Sequence, residues 1–298
     1  MPIPYRDCKR KYDQQKAQVQ EFMKTRLMTD PQRYATMTTA QLRETFLIDA
    51  LYQPGELQQV YVDLDRAVVG MAAPLRSPIA LVADQTLRAK AFTERRELGV
   101  LNIAGNGVIH VGKETYSLNH LDCLYIGRGA KEVAFESIEP DAPAVFYFLS
   151  YPAHFGYPTR LVRKDEASPV ELGNANTCNH RTVCKYVFLE GAQSCQLVMG
   201  VTHLHPGSSW NTMPAHKHLR RSEVYMYFNV AEEARVFHLM GPAEETRHLV
   251  MRDREVVVSP GWSIHAGVGT QAYSFCWGMG GENQDYGDMD PIPLKSLR

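Results

Sequence analysis

Beyond about residue 46, apolar and polar residues alternate or gather in short runs, with Gly and Pro placed between the runs. Residues 59–64 (Gln-Val-Tyr-Val-Asp-Leu), 66–70 and 79–82 come first, each too short for a helix and rich in β-branched side chains. The stretch 98–116 contains Asn106-Gly107 and Gly112-Lys113, dipeptides suited to tight hairpin turns. Runs at 124–127 and 144–149 continue the pattern, and a Pro-, Asp- and Asn-rich connection occupies about 151–179. Strand-like runs resume at 185–189, 196–201, 224–228, 235–240, 248–251, 255–258 and 272–277. Short strands at this spacing predict an all-β protein built as two copies of one barrel plan. The expected division is an extension over 1–36, a first barrel over 37–178 and a second over 179–298.

The start of the chain reads differently. Residues 1–36 are polar and rich in Lys, Gln and Arg, with a helix of thin apolar face expected from about Asp13 to Leu27. Thr38-Thr-Ala-Gln41 has the spacing of a capping box and predicts a short helix through about Phe46.

Composition changes the picture only by exclusion. The 298 residues are 44% hydrophobic, enough for a substantial core, and the formal net charge is −1. Charges of both signs are interspersed, so no basic face invites nucleic acid, and anion binding has to come from a few local arginines. Cys8, Cys123, Cys178, Cys184, Cys195 and Cys276 are scattered without a C-x-x-C pair, which predicts reduced thiols and a cytoplasmic protein. The N-terminus lacks the apolar segment of a secretory signal, and no run approaches the roughly 20 residues of a membrane helix.

The densest chemistry lies at Pro214-Ala-His216-Lys-His218-Leu-Arg-Arg-Ser-Glu223. Strand alternation sends residues i and i+2 to one face, so His216 and His218 are expected to point into one cavity. Glu223 opens a strongly β-like run, and His265 follows a Pro260-Gly261 turn at the start of another strand. Three imidazoles and a carboxylate suit a borderline divalent cation, Zn²⁺, Fe²⁺ or Mn²⁺. Helical zinc-protease spacing, with histidines at i and i+4, is absent. The first half has no H-x-H, so one metal per chain is expected.

This ligand pattern resembles the cupin superfamily, whose H-x-H, Glu and later His bind metal inside a jelly-roll barrel. The likeness implies a bicupin with a short helical N-terminal extension. A narrower resemblance follows from Phe92-Thr-Glu-Arg-Arg-Glu-Leu-Gly-Val-Leu-Asn-Ile, Leu124-Tyr-Ile-Gly-Arg-Gly-Ala-Lys-Glu-Val and Trp210-Asn-Thr-Met-Pro-Ala-His-Lys-His. With Glu244-Glu-Thr-Arg-His-Leu-Val-Met, Trp262-Ser-Ile-His and Trp277-Gly-Met-Gly-Gly-Glu-Asn-Gln, these are similar to the 5-keto-4-deoxyuronate isomerase family. The similarity runs from about Leu42 to the C-terminus. It implies zinc on His216, His218, Glu223 and His265, a bacterial enzyme of pectin and uronate breakdown, and a homo-hexamer. Two departures stand out: Gly261 follows Pro260 directly where cupins have Pro-x-Gly, and the first 36 residues exceed the usual family start, leaving Met37 as an alternative one.

The implied reaction moves a carbonyl from C1 to C2 of a keto-deoxyuronate, with no nucleotide cofactor. A base has to shuttle a proton between C2 and C1, and Glu223, Tyr225 and Glu282 are the candidates. Tyr227 shares the parity of Tyr225. For the substrate carboxylate, Arg220, Arg221 and Arg247 are candidate clamps. Trp210, Met213 and Trp262 flank the ligands and serve either as an apolar wall or as core packing. His110, His203, His205 and His248 read as structural or surface residues. The rival chemistry for the same four ligands is an iron-dependent dioxygenase, and a non-catalytic alternative is a sugar-binding module whose metal orients the ligand.

Overall fold

The computed structural model describes residues 23–298, and its regular structure is mostly β-strand. In spatial order, Lys24–Arg26, Leu57–Val62, Ala67–Ala72, Phe146–Pro152, Arg96–Asn102, Cys123–Ile126 and Arg160–Val162 form a seven-stranded sheet. A four-stranded sheet of Ile79–Ala80, Val133–Ser137, Gly107–Val111 and Glu114–Leu118 accompanies it. The second half repeats the arrangement. Its seven-stranded sheet runs Val170–Leu172, Arg181–Val187, Val198–Leu204, Ser274–Gly281, Arg221–Phe228, Val256–Ser259 and Leu47–Ile48. Its four-stranded sheet runs Trp210–Asn211, Ile264–Gly269, Val236–Gly241 and Arg247–Met251.

The expected two copies of one plan are therefore present, as two-sheet sandwiches rather than continuous closed ladders. One core cluster lies inside the first sandwich (Leu98, Val100, Phe135, Phe146, Phe148) and another inside the second (Tyr225, Tyr227, Phe275, Trp277). The largest cluster joins the two seven-stranded sheets, with Val69, Leu101, Tyr147 and Leu149 meeting Tyr186, Val201, Met226 and Val258. Burial on this scale, at about 25 cal/mol per Å² of apolar surface, makes the halves one mechanical body and gives the second sandwich rigid support.

Four local expectations change or hold for identifiable reasons. The capping box forms, with Gln41 N–H donating to Thr38 Oγ1 and Thr38 N–H donating to Gln41 Oε1, and the helix spans Thr39–Phe46. Most of the helix expected over 13–27 falls outside the described residues, but its end does not: Lys24–Arg26 is a strand running parallel to Leu57–Val62. Gly112-Lys113 closes a hairpin with Gly112 at φ +58°, a left-handed conformation that glycine adopts without Cβ strain. Asn106-Gly107 instead carries the chain from one sheet of the first sandwich to the other.

The chain also interleaves the two units. A helix over Pro31–Ala35 and the helix over Thr39–Phe46 lead into Leu47–Ile48, which pairs with Val256 and Val257 of the second sandwich. Tyr34 and Phe46 are fully buried there, and their rings pack edge-on against Trp262. Val170–Leu172, within the passage read as a connection, adds an edge strand to the same sheet. Both segments lie before residue 179 in sequence and belong to the second sandwich in space.

Candidate metal centre

Strand geometry brings the four expected ligands together inside the second sandwich. Glu223 sits on Arg221–Phe228 and pairs with Ser259 on one side and Met279 on the other. His265 is the second residue of Ile264–Gly269, delivered by the turn in which Ser263 N–H donates to the Pro260 carbonyl. His216 and His218 come from a short irregular segment anchored by pairing of His216–Lys217 with Asp290–Pro291. His218, Glu223 and His265 are each at most 4% exposed.

The donor atoms lie within 4.8 Å of one another. Glu223 Oε2 is 2.9 Å from His218 Nε2 and 2.8 Å from His265 Nε2, and His265 Nε2 is 3.0 Å from His216 Nε2. One ring nitrogen carries at most one proton, so His265 Nε2 cannot serve both the carboxylate and the imidazole. His218 Nδ1 lies 3.2 Å from the Arg221 carbonyl, which only accepts, so that nitrogen holds the proton. In a neutral ring this turns the Nε2 lone pair toward Glu223, an arrangement that needs a proton or a cation between them. The residues therefore fit a divalent cation by tautomer, by donor type and by convergence.

Electrostatics point the same way. Burial, reinforced by the charge of His265, holds His216 down at about 3, leaving a neutral imidazole with a free lone pair. Burial opposes ionisation of Glu223, but His265 and His218 outweigh it and keep the carboxyl well below its usual range. For His218, burial disfavours the charged ring, yet the bond to Glu223 raises its pKa on balance.

The cluster opens into a cavity of about 200 Å³. Tyr225 is in its wall, with its hydroxyl 3.0 Å from Thr212 Oγ1 and its ring centroid 5.6 Å from that of His265. Burial, with help from the Glu223 charge, pushes the Tyr225 phenol well above its ordinary value. It stays a neutral phenol that can donate a proton to oxygen. Tyr227 is buried against His238, its hydroxyl 2.8 Å from His238 Nδ1, and does not line the cavity.

The other sequence candidates are placed elsewhere. Glu282 is exposed beyond the end of its strand and does not line the cavity, because the chain turns outward once its N–H has bonded the Arg220 carbonyl. Arg220 is already clamped on Asp288 through Nε, 2.8 Å from each carboxylate oxygen, with Asp290 nearby. Buried Arg221 donates to the carbonyls of Asp285 and Asp288. These two arginines hold the segment 282–293 against the site rather than facing the cavity. Arg247 binds the Ala35 and Met37 carbonyls and lies over the Tyr34 ring, fastening the N-terminal helices.

The apolar candidates divide similarly. Trp262 packs against Tyr34 and Phe46, Met213 packs beside Ala215 and Ile264, and Trp210 pairs with Val268, so none of them lines the cavity. Of the histidines read as structural or surface residues, His110 is bound to Glu136, His203 to Ser274, and His205 to Thr182 and, beside His180, to Glu171, while His248 is exposed on an edge strand.

Sequence reasoning missed Arg181, Thr212, Tyr286 and Met289, all of which line the cavity. Parity offered a signal for Arg181, since Arg181 and Val183 alternate with outward Thr182, which binds Glu171. For Tyr286 and Met289 there was none, because only the folded C-terminal segment brings them to the cavity wall.

Two such sandwiches, one of them holding a convergent His/Glu quartet that could bind a metal, define a cupin-like fold, and solved structures agree. An IolB-like protein from Salmonella typhimurium LT2 matches with a TM-score of 0.65 at 14% identity, covering 83% of this chain and 96% of that one. Oxalate decarboxylase from Lactobacillus farciminis matches at 0.54 and 9% identity, covering 81% and 85%. The KduI/IolB family model matches residues 47–291, and the chain belongs to that family. Relatives named 4-deoxy-L-threo-5-hexosulose-uronate ketol-isomerase occur in Lachnoclostridium phytofermentans and Halalkalibacterium halodurans. Each is 49% identical over 276 residues, spanning 93% of this chain and all of the relative.

Proposed function

We propose that this chain is a metal-dependent aldose–ketose isomerase converting 5-dehydro-4-deoxy-D-glucuronate to 3-deoxy-D-glycero-2,5-hexodiulosonate in uronate catabolism. The observation that carries the reading is 49% identity along the entire length of relatives bearing the ketol-isomerase name. The donor set suits one Zn²⁺ per chain, held by His216, His218, Glu223 and His265. When bound, such a cation supplies Lewis-acid polarisation of the C1 carbonyl and its neighbouring hydroxyl.

The chain's own groups divide the remaining work. Isomerisation removes the C2 proton to give an enediolate and returns a proton to C1, while the O2 proton passes to O1. Among the described residues, Glu223 is the one carboxylate lining the cavity, which makes it the candidate acceptor of the carbon-bound proton, as a weak base whose pKa the neighbouring imidazoles hold down. Tyr225, kept neutral by burial, donates its phenolic hydrogen to the substrate oxygen that gains charge, and Thr212 fixes its orientation. Tyr286 and Met289 line the cavity and add apolar surface beside the reacting end. A cytoplasmic homo-hexamer accords with the family resemblance.

The deciding experiment is an anaerobic assay of the Zn²⁺-loaded protein with the keto-deoxyuronate, followed by NMR. Appearance of the C2 ketone at an unchanged rate without oxygen is the expected result. Conversion that stops when oxygen is withdrawn would point to the dioxygenase instead, and no conversion at all would remove the isomerase.

A further inference from the structure

We infer that Arg181 forms a carboxylate-binding subsite in the cavity wall, selecting anionic sugars and orienting their far end against the metal cluster. The inference rests on the isomerase reading above and names the group that recognises its substrate class. It begins from a contrast among the arginines of the second sandwich. Arg220 is spent on Asp288 and Asp290, Arg221 on two backbone carbonyls, and Arg247 on two others. Arg181 donates from one terminal nitrogen to the Asn179 carbonyl at 2.9 Å, and no carboxylate among the described residues pairs with it. Among the described residues it is the one permanently charged cation lining the cavity.

Its orientation follows from the sheet. Arg181 opens the strand Arg181–Val187 opposite Leu172, and Leu172, Arg181 and Val183 all line the cavity. Thr182, between them, turns to the other face and binds Glu171. Half-buried, and sharing the cavity wall with Tyr225 and Tyr286, the guanidinium is partly desolvated, so a charge-assisted pair there gains strength. The bond to Asn179 fixes the fork in place before a ligand arrives, which lowers the ordering cost of binding.

Distance along the ligand makes the placement chemically sensible. In an open-chain hexuronate, five C–C bonds of about 1.5 Å separate the reacting C1 from the C6 carboxylate. The reacting end must lie at the His216, His218, Glu223 and His265 cluster, so the carboxylate needs a cation further along the same cavity. Tyr225 lines the same cavity as Arg181, with its ring beside His265. Neutral aldoses would leave Arg181 unpaired in that wall, so the site discriminates against them.

The test uses two unreactive ligands: the C1 alcohol of the substrate, which cannot isomerise, and the C6 methyl amide of that alcohol. Isothermal titration of the full-length Zn²⁺-loaded protein should show the acid binding about 10- to 100-fold tighter than the amide, the range of a charge-assisted bidentate contact. Arg181→Gln should abolish that preference with metal content unchanged, and Arg181→Lys should keep part of it. In turnover, Arg181→Gln should raise KM for the uronate far more than it lowers kcat. A wild-type protein indifferent to the charge, or an Arg181→Gln variant that keeps the full preference, overturns the inference. These binding results stand independently of turnover, so a wild-type protein that binds the acid selectively but converts nothing would sink the isomerase reading alone.

Discussion

Matching positions in the two sandwiches carry opposite chemistry. Leu98 is the third residue of Arg96–Asn102 and pairs with Ile126, the last residue of the neighbouring strand. Glu223 is the third residue of Arg221–Phe228 and pairs with Ser259, again the last of its neighbour. Two residues further on, Val100 corresponds to Tyr225 in the same register. Around Leu98 and Val100 the interior is filled by Phe135, Phe146 and Phe148, the first and last stacked at 6.1 Å. Around Glu223 it gathers three imidazoles and a cavity. One architecture thus serves as a filled support in one half and a polar pocket in the other. A carboxylate is tolerated at that point only where His218 and His265 reach it.

Breaking the ligand set should have the largest effect. His218→Ala or His265→Ala should lose bound metal, measured by elemental analysis, and about a thousandfold or more in turnover, since Lewis-acid stabilisation contributes several kcal/mol. Wild-type metal content in both variants would refute the assignment. Copying the charge into the other half probes the reverse: Leu98→Glu places a carboxylate without imidazole partners and should cost about 3–5 kcal/mol of stability in urea unfolding. An unchanged midpoint would mean that the two interiors differ less in polarity than their side chains imply.

Finer changes sharpen the contrast between Tyr225 and Val100. Tyr225→Phe keeps the ring and removes the hydroxyl, so turnover should fall about a hundredfold with metal retained, as for loss of a single oxyanion donor. Full activity would exclude the phenol from proton or charge handling. Glu282→Gln is expected to have the smallest effect, leaving turnover unchanged, because the side chain is exposed outside the cavity. A marked loss would show that Glu282 reaches the substrate after all.

Sequence reading succeeded where the information is local. Strand runs, the capping box at Thr38 and Gln41, the Gly112-Lys113 hairpin and the convergence of His216, His218, Glu223 and His265 all depend on residues a few positions apart or on strand parity. It failed for the arginines because a charge near the ligands in sequence says nothing about which acceptor it will meet. Asp288 stands 68 residues from Arg220, and Ala35 stands 212 from Arg247. Both arginines found partners only through folding.

By itself, the order of residues determined the β-rich fold, its duplication and the four residues that converge as candidate ligands, since alternation and short turn signals are enforced within each strand and its immediate loop. Tertiary structure decided which half received Leu47–Ile48, which arginine faced the cavity, and that Tyr286 and Met289 joined its wall. Those outcomes depend on competition among distant acceptors and apolar surfaces. Such competition is resolved only when the sheets pack and every buried polar group must find a partner.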